Sequence, residues 1–105
     1  MTITTRFLEF HQENPNVYRV LVRLARDWVA KTGRRKLAIK TLYERARWEI
    51  AMQTTDPEYK INNNFTAFYA RLIMAQEPDL AGIFDLRTSE ADEWIATIAK
   101  TPTAA

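Results

Sequence analysis

Apolar residues recur at helical spacing in several separate stretches of this chain. Asn14 and Pro15 suit the start of a helix, since Asn can cap free amides and Pro fits the first helical position. Apolar side chains then follow at spacings of one, three and four as far as Trp28. This stripe predicts a helix from residue 15 to about residue 31 that ends near Gly33. The apolar segment at residues 7–10 predicts one or two helical turns packed onto the core.

Two further amphipathic stretches surround a polar turn. Residues 38–52 and 64–76 each place their apolar side chains on one face of a predicted helix. Pro57 breaks the first of these helices because proline lacks an amide hydrogen and clashes with the preceding turn. Three asparagines at 62–64 suit a turn followed by a helix cap. The order of helix, polar turn and helix is typical of a helix-turn-helix or its winged variant.

The end of the chain predicts one more helix. Pro78 begins a short turn or helix through Leu80. Ser89, with Asp92 three residues later, resembles a capping box that opens a last helix. The narrow apolar stripe of that helix, which includes Trp94, either covers the core or meets a second copy of the chain.

We therefore expect a mainly α, compact single domain of four or five helices over residues 1–100, with residues 101–105 as a disordered tail. Basic-then-apolar residues near 35–39 and alternating residues near 83–88 suit short extended pieces. These pieces favour a winged-helix-turn-helix-like fold over a plain bundle.

Composition narrows the class of protein. A chain of 105 residues can bury one core, and two glycines leave no Gly-rich phosphate loop. The absence of cysteine excludes disulfides and thiolate zinc sites. The N-terminal residues do not resemble a signal peptide, and no apolar run approaches a membrane span, so we expect a soluble, cytoplasmic protein without membrane contact.

The net charge of +2 hides an asymmetry between the two halves of the chain. Residues 1–55 hold eleven Lys/Arg against five Asp/Glu, whereas residues 56–105 hold four against eight. The basic half predicts an anionic partner, most commonly nucleic acid. Alternatively, the two halves face each other and largely neutralise.

A basic cluster forms the first candidate site. Five positive side chains within ten residues could neutralise phosphates and release counterions, or could be a solvated loop and helix start. The residues are Lys31, Arg34, Arg35, Lys36 and Lys40.

The start of the helix at 64–76 is the second candidate site. In a helix-turn-helix this end of the second helix enters the major groove, where Asn can bind adenine through two hydrogen bonds. The expected base contacts are Asn62, Asn63, Asn64 and Thr66, with Lys60 and Arg71 as the nearest positive groups. Alternatively, the asparagines only build a turn and a cap. The helix carries little charge, which argues against a tight grip on phosphates.

Aromatic side chains off the apolar stripes form a third candidate site, for a protein partner. Arg47 and Trp48 lie off the inner stripe of their helix, and Trp94 could also be exposed. Alternatively, Trp48 is half-buried and Arg47 pairs with a carboxylate such as Glu44.

Catalytic chemistry has little support in this sequence. His11 is the single histidine and has no nucleophile or oriented carboxylate in a recognisable motif. Near Glu9 and Glu13 it is expected to be a structural hydrogen-bond donor. We expect no enzymatic activity, no cofactor and no metal site.

Several short segments in order resemble a small protein family of phages and prophage-bearing bacteria. They read FLEFHQENPNVYRVLVRLA, IKTLYERARWEIAMQT, KINNN, FYARLIMAQEPDLAGIF and DLR, within residues 7–87. Ala46 stands where members often have Ile before the Arg. The resemblance implies a phage or prophage setting and no particular mechanism.

Two functions from different classes follow. The first is a phage-encoded, non-enzymatic protein that binds duplex DNA through a winged-helix-like helix-turn-helix. The second is a small phage protein that binds and modulates a host or phage protein without touching nucleic acid. A homodimer through the Trp94 helix is compatible with either function.

Overall fold

Helices dominate the computed structural model of the protein, which describes residues 2–54, 63–86 and 90–99. Within these ranges the α-helices are α1 (Ile3–Glu13), α2 (Pro15–Thr32), α3 (Ile39–Gln53), α4 (Thr66–Gln76) and α5 (Glu90–Ala99). Short 3₁₀ turns at Asn63–Phe65 and Pro78–Leu80 flank α4. The radius of gyration of 13.6 Å is close to the roughly 13 Å of a compact 100-residue domain. The predicted mainly helical, compact domain is confirmed.

Helix α2 begins and ends at the residues predicted from the sequence, but the predicted cap at its start is not formed. Pro15 occupies the first turn, and Gly33 closes the helix in the left-handed conformation at φ 70°, its N–H donating to the Val29 carbonyl at 2.9 Å. The Asn14 side chain does not cap α2: its Nδ2 donates to the Phe10 carbonyl at 3.0 Å. Asn14 therefore closes α1, because a single residue separates the two helices.

The first helix is longer than the one or two turns predicted. It begins after Thr2, whose Oγ1 accepts a hydrogen bond from the Thr5 amide at 3.2 Å. The β-branched residues at 2–5 have low helix propensity, which hid this N-terminal turn in the sequence. Tertiary packing of Phe7, which is fully buried, compensates for that propensity.

The fourth helix is the centre of the core. Six consecutive residues of α4, from Phe68 to Ile73, are buried, and the helix contacts α2, α3 and α5. A helix that reads bases needs one face free to enter the major groove. The stretch from Phe68 to Ile73 therefore has no free face to present to a groove of DNA.

The winged-helix prediction is wrong for the part of the chain described. No residue in 2–54, 63–86 or 90–99 belongs to a strand. The segments predicted to be extended do meet, through one hydrogen bond from the Leu37 amide to the Ile83 carbonyl at 3.0 Å. Ile83 and the adjacent Phe84 are both buried, which a strand with side chains on alternate faces could not achieve against one core. These segments form no sheet; instead, Leu37, Ile83 and Phe84 contribute buried side chains to the hydrophobic core.

Aromatic rings fill the space between α1, α4 and α5. Phe7 lies at their centre, with ring centroids at 4.9 Å from Phe68 and Tyr69, 5.2 Å from Trp94 and 5.7 Å from Phe65. Most of these pairs meet edge to face, a geometry that stabilises beyond simple burial. Trp94 therefore holds α5 against the domain.

Candidate functional site

Three members of the basic cluster are available to a partner. The side chains of Lys31, Arg34 and Lys40 are exposed. None of them has a carboxylate within 4.0 Å among the residues that the structure describes. The Arg34 guanidinium lies 6.0 Å from the centre of the Trp28 ring. These three side chains surround the loop that joins α2 to α3. The basic surface formed by Lys31, Arg34 and Lys40 is called the loop end.

The other two members of the cluster bind the chain itself. Arg35 donates to the Asp79 carbonyl oxygen at 2.8 Å. Lys36 donates to the Gly82 carbonyl at 3.1 Å and forms an ion pair with Asp85 at 2.7 Å. Both side chains thus tie the loop between α2 and α3 to the segment after α4, and neither is a free phosphate ligand.

A second set of ion pairs also joins the basic half to the acidic half. Arg26 on α2 contacts Asp79 at 2.9 Å and Glu77 at 2.7 Å. The Tyr18 hydroxyl donates to Glu77 at 2.8 Å, and burial together with this carboxylate raises the pKa of Tyr18. The Arg26 guanidinium lowers the pKa of Asp79. The charge asymmetry of the sequence is therefore partly cancelled within the fold, in line with the alternative of facing halves.

A groove of about 550 Å³ runs between α2 and α3. Four apolar side chains contribute to its lining: Leu24, Trp28, Leu37 and Leu42. Charged and hydroxyl side chains complete it: Arg23, Asp27, Lys31, Thr32, Thr41, Arg45 and Glu49. The Trp28 indole donates to the Lys36 carbonyl at 3.2 Å, which fixes the loop at one end of the groove.

Beside this groove, α3 presents two large apolar side chains to solvent. Trp48 is 56% exposed and Met52, one helical turn further, is 71% exposed. The Arg45 guanidinium lies over the Trp48 ring at 4.9 Å, and the same Arg45 lines the groove. The surface formed by Trp48, Met52 and Arg45 is called the α3 face below.

Arg47 supports the alternative interpretation of this region. Its guanidinium contacts Glu44 at 2.9 Å, one turn earlier on α3. Trp48 is 56% exposed, so a little under half of its surface is covered by the chain itself. Met52 was not among the predicted partner-binding residues, although it lies four residues after Trp48 and off the apolar stripe, a spacing visible in the sequence.

The residues predicted to approach bases have different environments. Arg71 is only 5% exposed; its Nε donates to Asp92 at 2.6 Å and its Nη1 to the Ala67 carbonyl at 3.0 Å. It holds α5 against α4 and does not serve as a surface cation, which corrects its predicted role. Asn64 is exposed and Thr66 partly buried. The backbone of Asn63 lies in a 3₁₀ turn, whereas Lys60 and Asn62 lie outside the described residues.

Trp94 does not present a surface for a partner in the way predicted. It is partly buried, with ring centroids at 5.2 Å from Phe7 and 5.7 Å from Phe68. Its apolar face is occupied by the chain's own core. Ser89 and its predicted capping box lie outside the described residues.

His11 is part of the aromatic core. Its ring stacks on Phe7 at 5.7 Å and meets Tyr18 and Tyr69 edge to face. Nδ1 is buried without a hydrogen-bond partner in the described part of the chain, so the predicted donor role is not seen at this nitrogen. Burial lowers the pKa of His11, because the charged imidazolium would lose its hydration. Within the described ranges, no carboxylate forms a hydrogen bond to His11.

Residues 2–54, 63–86 and 90–99 contain neither of two further classes of site. No group of three or more His, Asp or Glu side chains there is placed to hold a metal ion. No helix there has both the length and the apolar composition to cross a bilayer.

The loop end, the groove and the α3 face adjoin one another along α2 and α3. Comparison with protein-family models, with curated proteins and with solved structures found no match for this chain. The functional assignment therefore depends on these surfaces.

Proposed function

We propose that this chain is a non-enzymatic protein-binding domain whose partner docks on the α3 face. The observation that carries the proposal is the joint exposure of Trp48 and Met52 on successive turns of one helix. Tryptophan and arginine are enriched among the residues that dominate binding energy at protein interfaces. Methionine adapts its shape to varied apolar partners.

The energetics favour docking at this face. Covering the exposed part of Met52 would contribute roughly 1–2 kcal/mol, and Trp48 would add a comparable or larger amount. The Arg45 guanidinium stacks on one side of the Trp48 ring at 4.9 Å, a contact that would favour one orientation of the ring before binding. A side chain held in place loses less conformational entropy when the complex forms.

The sequence resemblance supports a setting for the partner. The segments between residues 7 and 87 resemble a phage and prophage family, so we propose that the partner is a phage or host protein. Binding to such a protein, with modulation of its activity, requires no catalytic group in this chain.

A matched pair of variants tests the proposal. Trp48→Ala and Met52→Ala should abolish capture of specific proteins from lysates of a phage-infected host, compared by mass spectrometry. Leu8→Ala is the control, because Leu8 is a large apolar residue on α1 that is 42% exposed and lies outside the α3 face. An identical set of captured proteins for all three variants and the parent would refute docking at this face.

Duplex DNA is the second candidate partner, and the loop end supports it. Lys31, Arg34 and Lys40 have no carboxylate partner among the described residues. Ala38 precedes α3 and has no side-chain group to cap its first amides, so this helix start carries a partial positive charge. Such a surface would grip phosphates without reading bases.

Salt dependence tests the DNA alternative. Affinity for a labelled random-sequence duplex should fall with salt with a logarithmic slope of about −2.7 if three phosphates are neutralised. The triple substitution of Lys31, Arg34 and Lys40 by Gln should remove this slope. Arg6→Gln on α1 is the control, since Arg6 is also exposed. Equal binding by the triple variant would exclude the loop end as the DNA contact.

A further inference from the structure

We infer that the groove between α2 and α3 receives an amphipathic helix whose end over the loop end is acidic. This inference rests on the proposed protein-binding function and names the chemistry of the partner. The occupant is a helix on the partner protein that presents apolar side chains along one face and carboxylates at one end.

The apolar part of the groove sets the first requirement on the occupant. Leu24 and Trp28 line it from α2, Leu42 lines it from α3, and Leu37 lines it from the connecting loop. Leu24 and Trp28 are only partly buried, so α2 leaves apolar surface uncovered in the groove, whereas Leu37 and Leu42 are buried. An amphipathic helix is the element whose side chains at spacings of three and four fill a groove between two helices.

The distribution of charged side chains along the groove sets the second requirement on the occupant, because the two ends of the groove differ in net charge. Away from the loop end, Arg23 contacts both Asp27 and Glu49, and Arg45 lies 3.9 Å from Glu49. That part is therefore internally compensated.

At the loop end the charge is not compensated. Lys31 lines the groove there, with Arg34 and Lys40 in the adjoining loop and first turn of α3, and none has a carboxylate within 4.0 Å in the described ranges. A partner helix would match this pattern with carboxylates over the loop end and neutral residues elsewhere.

Continuity with the α3 face supports the same occupant. Arg45 belongs to the groove lining and also stacks on Trp48 at 4.9 Å. A partner seated in the groove therefore touches the side chain that stacks on Trp48. The groove and the α3 face form one continuous surface along α3.

Designed peptides provide the probe for this inference. A fluorescein-labelled 18-residue helical peptide would carry leucines at helical spacing and three glutamates at one end. Its matched controls replace the glutamates by glutamine or by lysine, or the leucines by serine. In fluorescence anisotropy at low salt, the acidic peptide should bind about tenfold more tightly than the glutamine peptide, with the difference shrinking as salt rises. Equal affinities for the acidic and lysine peptides would overturn the inference.

Protein variants locate the binding site of the peptide. Thr41 is exposed and lines the groove, so Thr41→Trp should occupy it and block the peptide, whereas Thr41→Ser should not. Lys31→Glu should invert the preference between the acidic and lysine peptides. Far-UV circular dichroism confirms that each variant is folded. Unchanged binding of the acidic peptide to folded Thr41→Trp would overturn the assignment to the groove.

The outcomes separate this inference from the proposed function. Capture of a native partner that is lost with Trp48→Ala but kept with Thr41→Trp would preserve the α3 face and overturn the groove inference. Peptide binding blocked by Thr41→Trp, with capture indifferent to Trp48→Ala, would support the groove and refute the α3 face. Displacement of the acidic peptide by duplex DNA, without any difference among the peptides, would favour the DNA alternative and overturn the inference.

Discussion

The two tryptophans Trp48 and Trp94 should respond in opposite ways to truncation. Trp94 packs against Phe7 at 5.2 Å and Phe68 at 5.7 Å between ring centroids. Each aromatic pair is worth roughly 0.5–1.5 kcal/mol beyond burial, and a half-buried ring adds part of the usual transfer free energy. We expect Trp94→Ala to lower the free energy of unfolding by about 2–3 kcal/mol.

Trp48 contributes far less than Trp94 to the free energy of unfolding. It is 56% exposed, and its described ring contact is the stacked Arg45, which at an exposed site contributes about 0.5–1 kcal/mol. Alanine has a higher helix propensity than tryptophan, which offsets part of that loss. We expect Trp48→Ala to change the free energy of unfolding by less than about 0.5 kcal/mol.

Urea denaturation followed by far-UV circular dichroism measures both effects, since this signal does not depend on the residue removed. With a slope of about 1–2 kcal/mol per molar urea, Trp94→Ala should lower the midpoint by roughly 1–3 M and Trp48→Ala by very little. Equal midpoints for the two variants would refute the distinction between a core tryptophan and an exposed one. The α3 face would then lose its main support.

Three further predictions follow from single contacts. Asp92→Ala should cost about 2–3 kcal/mol because it removes the Asp92 carboxylate from the Arg71 guanidinium, which is only 5% exposed. Chemical denaturation should show partial recovery in the double variant with Arg71→Met, and full stability of Asp92→Ala would contradict this. His11 has a folded-state pKa below its ordinary value of 6.5, so the folded state binds fewer protons and stability should fall as pH drops through 6.5. Thermal midpoints between pH 8 and pH 5 test this, and the decline should be smaller in His11→Phe. Gly33→Ala should cost about 1 kcal/mol, since φ is 70° there, whereas an unchanged melting temperature would mean that the turn adapts.

Most helices of the fold could be predicted from the sequence because their signals are local. The Pro15 start and the Gly33 end bounded α2 correctly, and periodic apolar residues located α3 and α4 to within about two residues. Each of these signals depends on residues a few positions apart, which sequence periodicity captures.

The predicted winged-helix strands are absent from the described ranges because alternation of apolar and charged residues over a few positions does not show which side chains the fold buries. Phe84 and Leu86 alternate with charged residues, but burial of both Ile83 and Phe84 overrides that pattern. The backbone meets the loop before α3 through the Leu37–Ile83 hydrogen bond and forms no strand in the described ranges.

The candidate site was predicted only in part. Lys31, Arg34 and Lys40 are exposed, as a basic surface requires, but Arg35 and Lys36 bind backbone carbonyls more than forty residues away. Charge counts cannot show which cations have partners distant in sequence. The groove also escaped prediction, since it exists only where α2 and α3 pack together.

The central position of α4 has a consequence for how the chain is synthesised. This helix occupies Thr66–Gln76, about two thirds of the way along the sequence, and it packs against α2, α3 and α5. Until the ribosome has made it, the apolar faces of the earlier helices lack the surface that covers them, at a synthesis rate of roughly 5–20 residues per second. The nascent N-terminal half therefore spends seconds with those faces uncovered. We therefore expect a chain truncated before residue 66 to expose those apolar faces and aggregate rather than form a smaller folded domain.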